Sequence, residues 1–233
     1  MGTENYLVNL WNAEYNKKGI PSSFKEEPSG PVVEFLRLLS GKNIKTGKAL
    51  DIGCGMGRNS IFLAQQGFEV CSMDFVPESI RTLAHKINLF GLASRVIPIC
   101  HDIAMPWPFK DETFDIATDT FCYTHDQANL ETRSNYKNEL RRVLKVGGFY
   151  LLTLPGVDDG YYGPLLASSP NPKERVIIDP ENDIPMVLYT REDVERNFNN
   201  HFSLIYYSNK KKDGLMHGKI YPRSTHIFVF AKK

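Results

Sequence analysis

The sequence predicts an α/β fold in which helices cover both faces of a parallel sheet. Two observations lead to this prediction. Between Lys48 and Leu154 strand-like and helix-like apolar patterns alternate, which is typical of a parallel sheet with helical crossovers. A chain of 233 residues is also long enough for one large domain of this kind with a sizeable core.

Five strands are predicted in the central part of the chain. They are the short apolar or alternating runs at residues 48–52, 69–74, 95–100, 114–120 and 149–154. A helix is predicted over 59–66, where Gly67 can end it, and another begins at Pro77 and ends before Gly91. A third, amphipathic helix around 136–144 is expected to end at the glycine pair 147–148.

The two ends of the chain have a different character. The first forty residues contain two helical stretches, around 6–15 and 32–39. Residues 155–186 contain many prolines and glycines and few apolar runs, so we expect a long loop there, and such loops are usually functional or mobile. In TREDVERNF (190–198), Thr190 and Asp193 fit a capping box with Asp in place of Glu, which predicts a helix.

A hairpin is predicted at the end of the chain. Strand-like runs at 202–207 and 226–231 are joined by a polar connection that contains glycine. Three consecutive lysines, Lys210, Lys211 and Lys212, lie in this connection and are followed by Asp213 and Gly214. We interpret them as a solvated loop tip.

Composition and charge exclude several classes of function. Lysines and arginines number 28 and acids 27, so a net charge of +1 provides no field that would attract nucleic acid or an anionic membrane. No stretch approaches the roughly 18 apolar residues of a membrane span, and MGTENYLVNLW does not fit a signal peptide. The four cysteines lack CxxC spacing, which favours buried free thiols in a reducing cytoplasm and no metal site; they are Cys54, Cys71, Cys100 and Cys122.

A glycine-rich loop, ALDIGCGMGRNS (49–60), follows the first predicted strand. A dinucleotide loop would have its third glycine at position 58, where Arg58 stands, and Asp51 would repel a pyrophosphate by about 4 kcal/mol at about 4 Å and an effective dielectric near 20. A phosphate-binding P-loop is excluded because no Gly-Lys-Ser/Thr follows. A cationic nucleoside remains, and Asp51 suits its ammonium group.

Acids also follow the next two strands. Asp74 ends the second strand and can accept hydrogen bonds from the two hydroxyls of a ribose, with Phe75 offering a flat apolar face to an adenine. Asp102 follows the third strand and can accept from an exocyclic amino group, with Ile103 packing on the ring. Three successive strand ends therefore suit the methionine part, the ribose and the base of S-adenosylmethionine.

These segments resemble a known family. DIGCGMG (51–57), Asp74, HDIAMPWPFKDETFD (101–115) and ELRRVLKVGGFYLLTLP (139–155) look like the motif series of class I S-adenosylmethionine-dependent methyltransferases. The match covers roughly residues 48–155. Within that superfamily, LWNAEYNKKGIPSSFKEEPSGPVVEFL and GCGMGRNSIFLAQQGFEV are similar to the small-molecule group that contains tellurite-resistance and thiopurine methyltransferases.

The resemblance implies a Rossmann-like, doubly wound, seven-stranded sheet that is mostly parallel and ends in an antiparallel hairpin. It implies one domain over 1–233, made of an N-terminal helical cap (1–45), a cofactor-binding core (46–155), and a lid loop with the terminal hairpin (156–233). By the same resemblance, Trp11 and Tyr15 lie near the methionine end of the cofactor. The full cofactor-binding set is Trp11, Tyr15, Asp51, Gly53, Gly55, Gly57, Arg58, Asp74, Phe75, Asp102, Ile103 and Thr120.

The predicted function is methyl transfer from S-adenosylmethionine to a small-molecule acceptor by direct displacement. Two alternatives stay open: a non-catalytic binder of the same nucleoside, acting as a sensor or partner subunit, and a nucleotide-dependent oxidoreductase on the same fold. The segment DTFCYTHD (119–126) lacks the Pro-Pro pair common in enzymes that methylate nucleic acid bases, so no nucleic acid partner is expected. We expect a cytoplasmic monomer or weak dimer.

Candidate catalytic residues lie in the same segment. Tyr123, His125 and Asp126 would lie near the transferred methyl group, and His125 could take a proton from a hydroxyl, thiol or ammonium acceptor. Further candidates for an acceptor pocket are Tyr161, Tyr162, His217, Tyr221, Arg223 and His226. Cys100 and His101 are adjacent, which suits a shared metal ion poorly.

Overall fold

The computed structural model describes residues 3–126, 128 and 133–233. The helices of this part of the chain are α1 (Thr3–Lys17), α2 (Pro21–Phe24), α3 (Gly30–Gly41), α4 (Arg58–Gln65), α5 (Pro77–Leu89), α6 (Cys122–Asp126), α7 (Arg133–Val143) and α8 (Arg191–Phe198). Its strands are β1 (Gly47–Ile52), β2 (Phe68–Asp74), β3 (Val96–Cys100), β4 (Phe114–Thr120), β5 (Leu144–Pro155), β6 (Val176–Ile178), β7 (Pro185–Val187), β8 (Phe202–Met216) and β9 (Lys219–Lys232).

Seven of these strands form one sheet in the order β3-β2-β1-β4-β5-β9-β8. Strands β1 to β5 run parallel, whereas β9 is antiparallel to β5 and β8 is antiparallel to β9. The predicted doubly wound sheet with its terminal hairpin is therefore confirmed. The strand order reverses between β1 and β4, and ligands of open α/β sheets bind outside the carboxyl ends of the strands at such a point.

Helices cover both faces of the sheet, as the alternation predicts. One buried cluster packs Tyr136 of α7 and Phe198 of α8 on one face. A second cluster packs Phe35 of α3, Leu63 of α4 and Leu83 of α5 on the other. Among the described residues, no helix is long and apolar enough to cross a bilayer.

The long segment after β5 is more regular than the sequence predicts. It contains a 3₁₀-helix (Gly163–Ser168) and the strands β6 and β7, which pair antiparallel as a small separate sheet. Strands of three residues are too short for a recognisable alternation, because their pairing depends on a partner elsewhere in the chain. The prediction of one structureless loop is wrong.

The hairpin is also much longer than predicted. Lys210, Lys211 and Lys212 lie inside β8, opposite Thr225, Ser224 and Arg223 of β9, so the prediction of a loop tip is wrong. The turn is at His217 and Gly218, which both have positive φ angles. Acids elsewhere in the chain explain why a lysine run is tolerated in the strand, since Lys210 pairs with Glu34 and Lys211 with Asp158.

Two smaller expectations also need correction. The helix α7 ends at Val143, and the glycine pair 147–148 lies within β5, where the pairing with β4 shifts register. A side chain at Gly148 would lie 2.8 Å from the carbonyl oxygen of Lys145, so glycine serves the strand irregularity and does not end the helix. All four cysteines are free thiols, but Cys100 is exposed and only Cys54 is buried.

Candidate active site

A cavity of about 300 Å³ opens at the carboxyl ends of β1, β2, β3 and β4, where the strand order reverses. Residues of α1, α6 and the segment before β7 close it on the opposite side. Eleven of the residues singled out in the sequence for cofactor binding or catalysis line the cavity: Trp11, Tyr15, Gly53, Gly55, Arg58, Asp74, Phe75, Asp102, Ile103, Thr120 and His125. Asp126 also contributes to its wall.

The glycine loop forms the floor of the cavity. Gly55 has a φ of +52°, a left-handed conformation that favours glycine, and a side chain there would lie 2.9 Å from the hydroxyl of Tyr15. Gly57 has a φ of +81° and does not line the cavity. A side chain at Gly57 would overlap Leu83 of α5 at 2.2 Å, so this glycine permits close packing of α4 and α5.

Asp51 is not part of the cavity wall, and its predicted contact with the ammonium group of a ligand stays a prediction. Its carboxylate is buried below the loop, where it accepts hydrogen bonds from the hydroxyls of Ser60 (2.6 Å) and Thr118 (2.9 Å). Burial raises the pKa of Asp51 to about 6. Both carboxylate oxygens already have partners on α4 and β4, so the residue joins the loop to the sheet.

Asp74 reaches the cavity with acceptor capacity to spare. One carboxylate oxygen accepts from the backbone N–H of Gly55 (2.8 Å), and the other accepts from the N–H of Val76 (2.9 Å) and more weakly from Ser79 (3.4 Å). A carboxylate has about four acceptor positions, so one remains for a ligand hydroxyl. Burial raises the pKa of Asp74, whereas these hydrogen bonds oppose the rise.

The residues after β3 lie at the next position along the strand ends. Asp102 and Ile103 line the cavity, and Asp102 accepts from the N–H of Ala104 at 2.9 Å. Trp107 of the PWPF segment lies behind them in the core, where its indole N–H donates to the carbonyl of Ile103 at 2.9 Å. The tryptophan therefore fixes the backbone after β3 and has no surface on the cavity.

Arg58 contributes a positive charge to the cavity wall. Within the described part of the chain, no hydrogen bond or ion pair reaches its guanidinium group, although Asp51 and Glu27 attract it electrostatically. Burial lowers the pKa of Arg58. A partly buried guanidinium without a direct partner is a suitable ligand for a carboxylate, because it can donate two parallel hydrogen bonds.

Helix α1 supplies the aromatic residues of the opposite wall. Trp11 and Tyr15 are one turn apart, with ring centroids separated by 5.9 Å. Tyr15 lies over Gly55, and burial together with the nearby Asp74 carboxylate raises its pKa. Trp11 instead meets the imidazole of His125 edge-on, at 4.9 Å between centroids.

His125 of α6 lies in the wall with a defined orientation. Its Nδ1 is 3.0 Å from the carbonyl oxygen of Pro185, and because a carbonyl only accepts, Nδ1 carries the proton and Nε2 keeps its lone pair. Burial lowers the pKa of His125 to about 4, which keeps the ring neutral at pH 7. Sequence reasoning missed Pro185 and Ile184, since both come from the segment predicted to be a loop.

Tyr123 does not reach the cavity, which corrects its prediction as a catalytic residue. The side chain is fully buried in the aromatic core, where it stacks on Tyr189 and accepts a hydrogen bond from Asn197 at 3.3 Å. Its backbone N–H donates to Asp119, a buried acid that also accepts from the hydroxyl of Tyr136 at 2.6 Å. Burial raises the pKa of Asp119 to about 7.

The other acceptor candidates lie outside the cavity. Tyr161 and Tyr162 are buried with the hairpin tip, where the hydroxyl of Tyr161 donates to Asp179 at 2.7 Å. Arg223 pairs with the buried Asp159 at 2.7 Å. His217, Tyr221 and His226 belong to the same polar and aromatic region, so the six residues support the cap and do not line a pocket of their own.

The described residues contain no group of three or more His, Cys, Asp or Glu side chains placed to share a metal ion.

Comparison with known proteins identifies the central part of the chain. Residues 49–148 match the family of methyltransferase domains. A demethylmenaquinone methyltransferase from Bacillus subtilis is 34% identical over 110 residues, which are 46% of this chain and 45% of that protein. The chain thus spans less than half the length of this relative.

Solved structures resemble the chain over most of its length. A 1,6-didemethyltoxoflavin-N1-methyltransferase from Burkholderia thailandensis, solved with S-adenosylhomocysteine bound, has a TM-score of 0.71 at 15% identity and covers all of this chain and 91% of its own. A SAM-dependent methyltransferase from Methanosarcina mazei has a TM-score of 0.69 at 22% identity, over 84% of this chain and 96% of its own. At these identities the likeness concerns the fold.

Proposed function

We propose that this chain, whose residues 49–148 form a class I S-adenosylmethionine-dependent methyltransferase domain, transfers a methyl group from that donor to a small-molecule acceptor. The observation that carries the proposal is the cavity at the carboxyl ends of β1 to β4. There a glycine loop, the Asp74 carboxylate and the Arg58 guanidinium face one enclosed space. These are the groups that a nucleoside with a cationic amino-acid tail requires.

The residues present fit the donor. The remaining acceptor position of Asp74 suits a ribose hydroxyl, and the Arg58 guanidinium suits the carboxylate of the methionine part. We assign Asp102 to the amino group of the base, because it lines the cavity together with Phe75 and Ile103. The backbone of Gly53 and Gly55 permits close approach between these positions, because neither residue has a side chain.

When bound, S-adenosylmethionine supplies a methyl group on a sulfonium sulfur, whose C–S bond breaks as the acceptor's nucleophile forms the new bond. The protein aligns the two reactants and excludes water from between them. An acceptor with an O–H, N–H or S–H must lose a proton in this reaction. We assign this role to the Nε2 lone pair of His125, a residue of the cavity wall, since Nδ1 already donates to Pro185.

The finer assignments belong to the same proposal. We infer a small-molecule acceptor and no nucleic acid partner from the net charge of +1, and a cytoplasmic location from the four free cysteines. The division into a helical cap (1–45), a cofactor-binding core (46–155) and a lid with the terminal hairpin (156–233) is also a proposal. So are a monomeric or weakly dimeric state and the roles of the residues above.

Calorimetric titration of the purified protein with S-adenosylmethionine, S-adenosylhomocysteine and a nicotinamide dinucleotide tests the proposal. We expect binding of the first two and none of the third. Asp74→Ala should weaken binding by about 1.5–3 kcal/mol, because it removes a charged acceptor for the ribose and a partner of the Gly55 N–H. Glu78→Ala, which removes an exposed carboxylate paired with Arg81, should leave the affinity unchanged. Absence of binding to both S-adenosylmethionine and S-adenosylhomocysteine would refute the proposal.

A further inference from the structure

His125 belongs to a closed ring of contacts that begins and ends on α1. Trp11 of α1 meets the His125 imidazole edge-on, and the imidazole Nδ1–H donates to Pro185. The residue before Pro185 donates its backbone N–H to Asn182 Oδ1 at 3.0 Å. Asn182 Nδ2 then donates to the carboxylate of Glu14, also at 3.0 Å, three residues after Trp11 on the same helix. We call these five residues, Trp11, Glu14, His125, Asn182 and Pro185, the positioning ring.

Glu14 accepts more hydrogen bonds than any other residue of the positioning ring. It is fully buried, and its second carboxylate oxygen accepts three hydrogen bonds from the turn that follows α1: the N–H groups of Gly19 (2.7 Å) and Ile20 (2.8 Å) and the hydroxyl of Ser23 (2.9 Å). A buried carboxylate is costly unless donors surround it, and here four donors do. One side chain thereby fixes both the turn after α1 and the segment that supports His125.

Asn182 connects Glu14 to the residues of the cavity wall. Both ends of its amide are engaged, because Nδ2 donates to Glu14 and Oδ1 accepts from Ile184. Ile184 and Pro185 are themselves part of the cavity wall. The Pro185 carbonyl that orients His125 is therefore separated from Glu14 by only one side chain and one peptide unit.

A second contact joins the same two segments at the surface and offers a matched control. The Lys17 ammonium donates to the backbone carbonyl of Glu181 at 2.6 Å and to its carboxylate at 3.2 Å. Both side chains are about half exposed. This pair links α1 to the loop before Asn182 without touching Pro185 or His125. Removing it therefore tests whether any loss of attachment of the loop affects His125, or only the loss of the hydrogen bonds to Glu14.

We infer that Glu14, acting through Asn182 and Pro185, is a positioning residue that holds His125 in the tautomer with its Nε2 lone pair free. The consequence for methyl transfer rests on the proposed function. The positional claim itself does not, because the ring is complete without donor or acceptor. Glu14 touches neither the cavity nor the reacting atoms.

The test is ¹⁵N NMR of the ligand-free protein labelled at its six histidines. The His125 signals are identified by their loss in His125→Asn. Glu14→Gln keeps the size of the side chain but places an amide NH₂ among donors, so it should release Asn182. We expect the wild-type protein and Lys17→Met, which loses both contacts to Glu181, to show His125 protonated at Nδ1, and Glu14→Gln and Asn182→Ala to show a shift towards the other tautomer.

A second readout separates this inference from the proposed function. Titration with S-adenosylhomocysteine should give an affinity within about twofold of wild type for both ring variants, because none of their contacts involves Asp74 or Arg58. Circular dichroism checks folding, and if Glu14→Gln does not fold, the half-buried Asn182→Ala decides the question. Unchanged His125 signals in the folded ring variants would overturn the inference. A tautomer shift in a protein that binds neither S-adenosylmethionine nor S-adenosylhomocysteine would support the ring and refute the methyltransferase proposal alone.

Discussion

The two walls of the cavity are built in different ways. The wall at the sheet consists of strand ends and backbone, and its defining hydrogen bond, from Gly55 to Asp74, joins residues 19 apart in the chain. The opposite wall, which we call the cap wall, consists of residues from α1, from α6 and from the segment that leads into β7 at Pro185. Its hydrogen bonds join residues 60 apart, between His125 and Pro185, and 168 apart, between Glu14 and Asn182.

This difference indicates a division of labour. The sheet wall is continuous with the buried core. Gly57 lies against Leu83, and the Asp51 carboxylate accepts hydrogen bonds from α4 and from β4. The cap wall joins distant segments through polar contacts and through an apolar cluster in which Ile20 packs with Ile177 and Met186. We therefore expect changes in the sheet wall to affect the whole fold and donor binding, and changes in the cap wall to affect reaction and local opening.

The largest expected effect is on the reaction and concerns the cap wall. His125→Asn should lower the rate of methyl transfer to an acceptor with an ionisable X–H group by about 10²–10⁴-fold, because it removes the group proposed above as the base. Donor affinity should stay at the wild-type value. Because the pKa of His125 is about 4, the wild-type rate should show no loss from protonation of this histidine until the pH falls towards that value. Steady-state kinetics with calorimetry measure both, and an unchanged rate in the variant would show that the wall only shapes the cavity.

The next effect concerns the stability of the sheet wall. Gly57→Ala combines about 1–2 kcal/mol of left-handed backbone strain with about 1–3 kcal/mol from overpacking against Leu83. Gly91→Ala is the matched control, because Gly91 has a φ of +67° and open space around it, so only the strain applies. Urea unfolding gives the two free energies of unfolding. Equal losses in the two variants would mean that the α4–α5 contact tolerates a methyl group.

The smallest effect is a local one in the support of the cap. Arg223→Ala removes the charged partner of Asp159, which still accepts hydrogen bonds from the backbone N–H groups of Tyr161, Tyr162 and Ser224. We therefore expect the free energy of unfolding to fall by about 1.5–3 kcal/mol. Amides of residues 156–187 should exchange faster with solvent, whereas those of β1 to β4 should not change. Arg81→Ala, which breaks an exposed ion pair, is the control and should lower the free energy of unfolding by less than about 1 kcal/mol. Faster exchange throughout the sheet would contradict the division between the two walls.

Much of the fold was readable because its signals are local. Strand β4 has the predicted bounds, and the helix after Thr190 begins with the predicted capping box, in which Thr190 and Asp193 bond reciprocally. The hairpin was predicted but its length was not, since a run of three lysines is not typical of a strand, and here Glu34 and Asp158 pair with two of them. β6 and β7 escaped prediction because each is three residues long and needs the other.

The site divides in the same way. Asp74 and Asp102 were identified from their place after strands and do line the cavity. Asp51 and Tyr123 were placed near the ligand by the same reasoning, yet they point into the core, because a strand end fixes the position of a residue but not which side its side chain takes. Glu14 and Asn182 gave no sequence signal, as their partners are distant in the chain.

The sequence by itself determined the parallel sheet, the glycine loop and the acids beside it. Apolar periodicity and glycine placement act over a few residues, and the carboxyl ends of parallel strands necessarily meet at one edge. Only the tertiary structure decided which tautomer His125 adopts and how α1 contacts the segment before β7. It also decided that the buried Glu14 joins these two segments. Those features rest on contacts between residues up to 168 positions apart, and a directional hydrogen bond between such residues leaves no pattern in the local sequence.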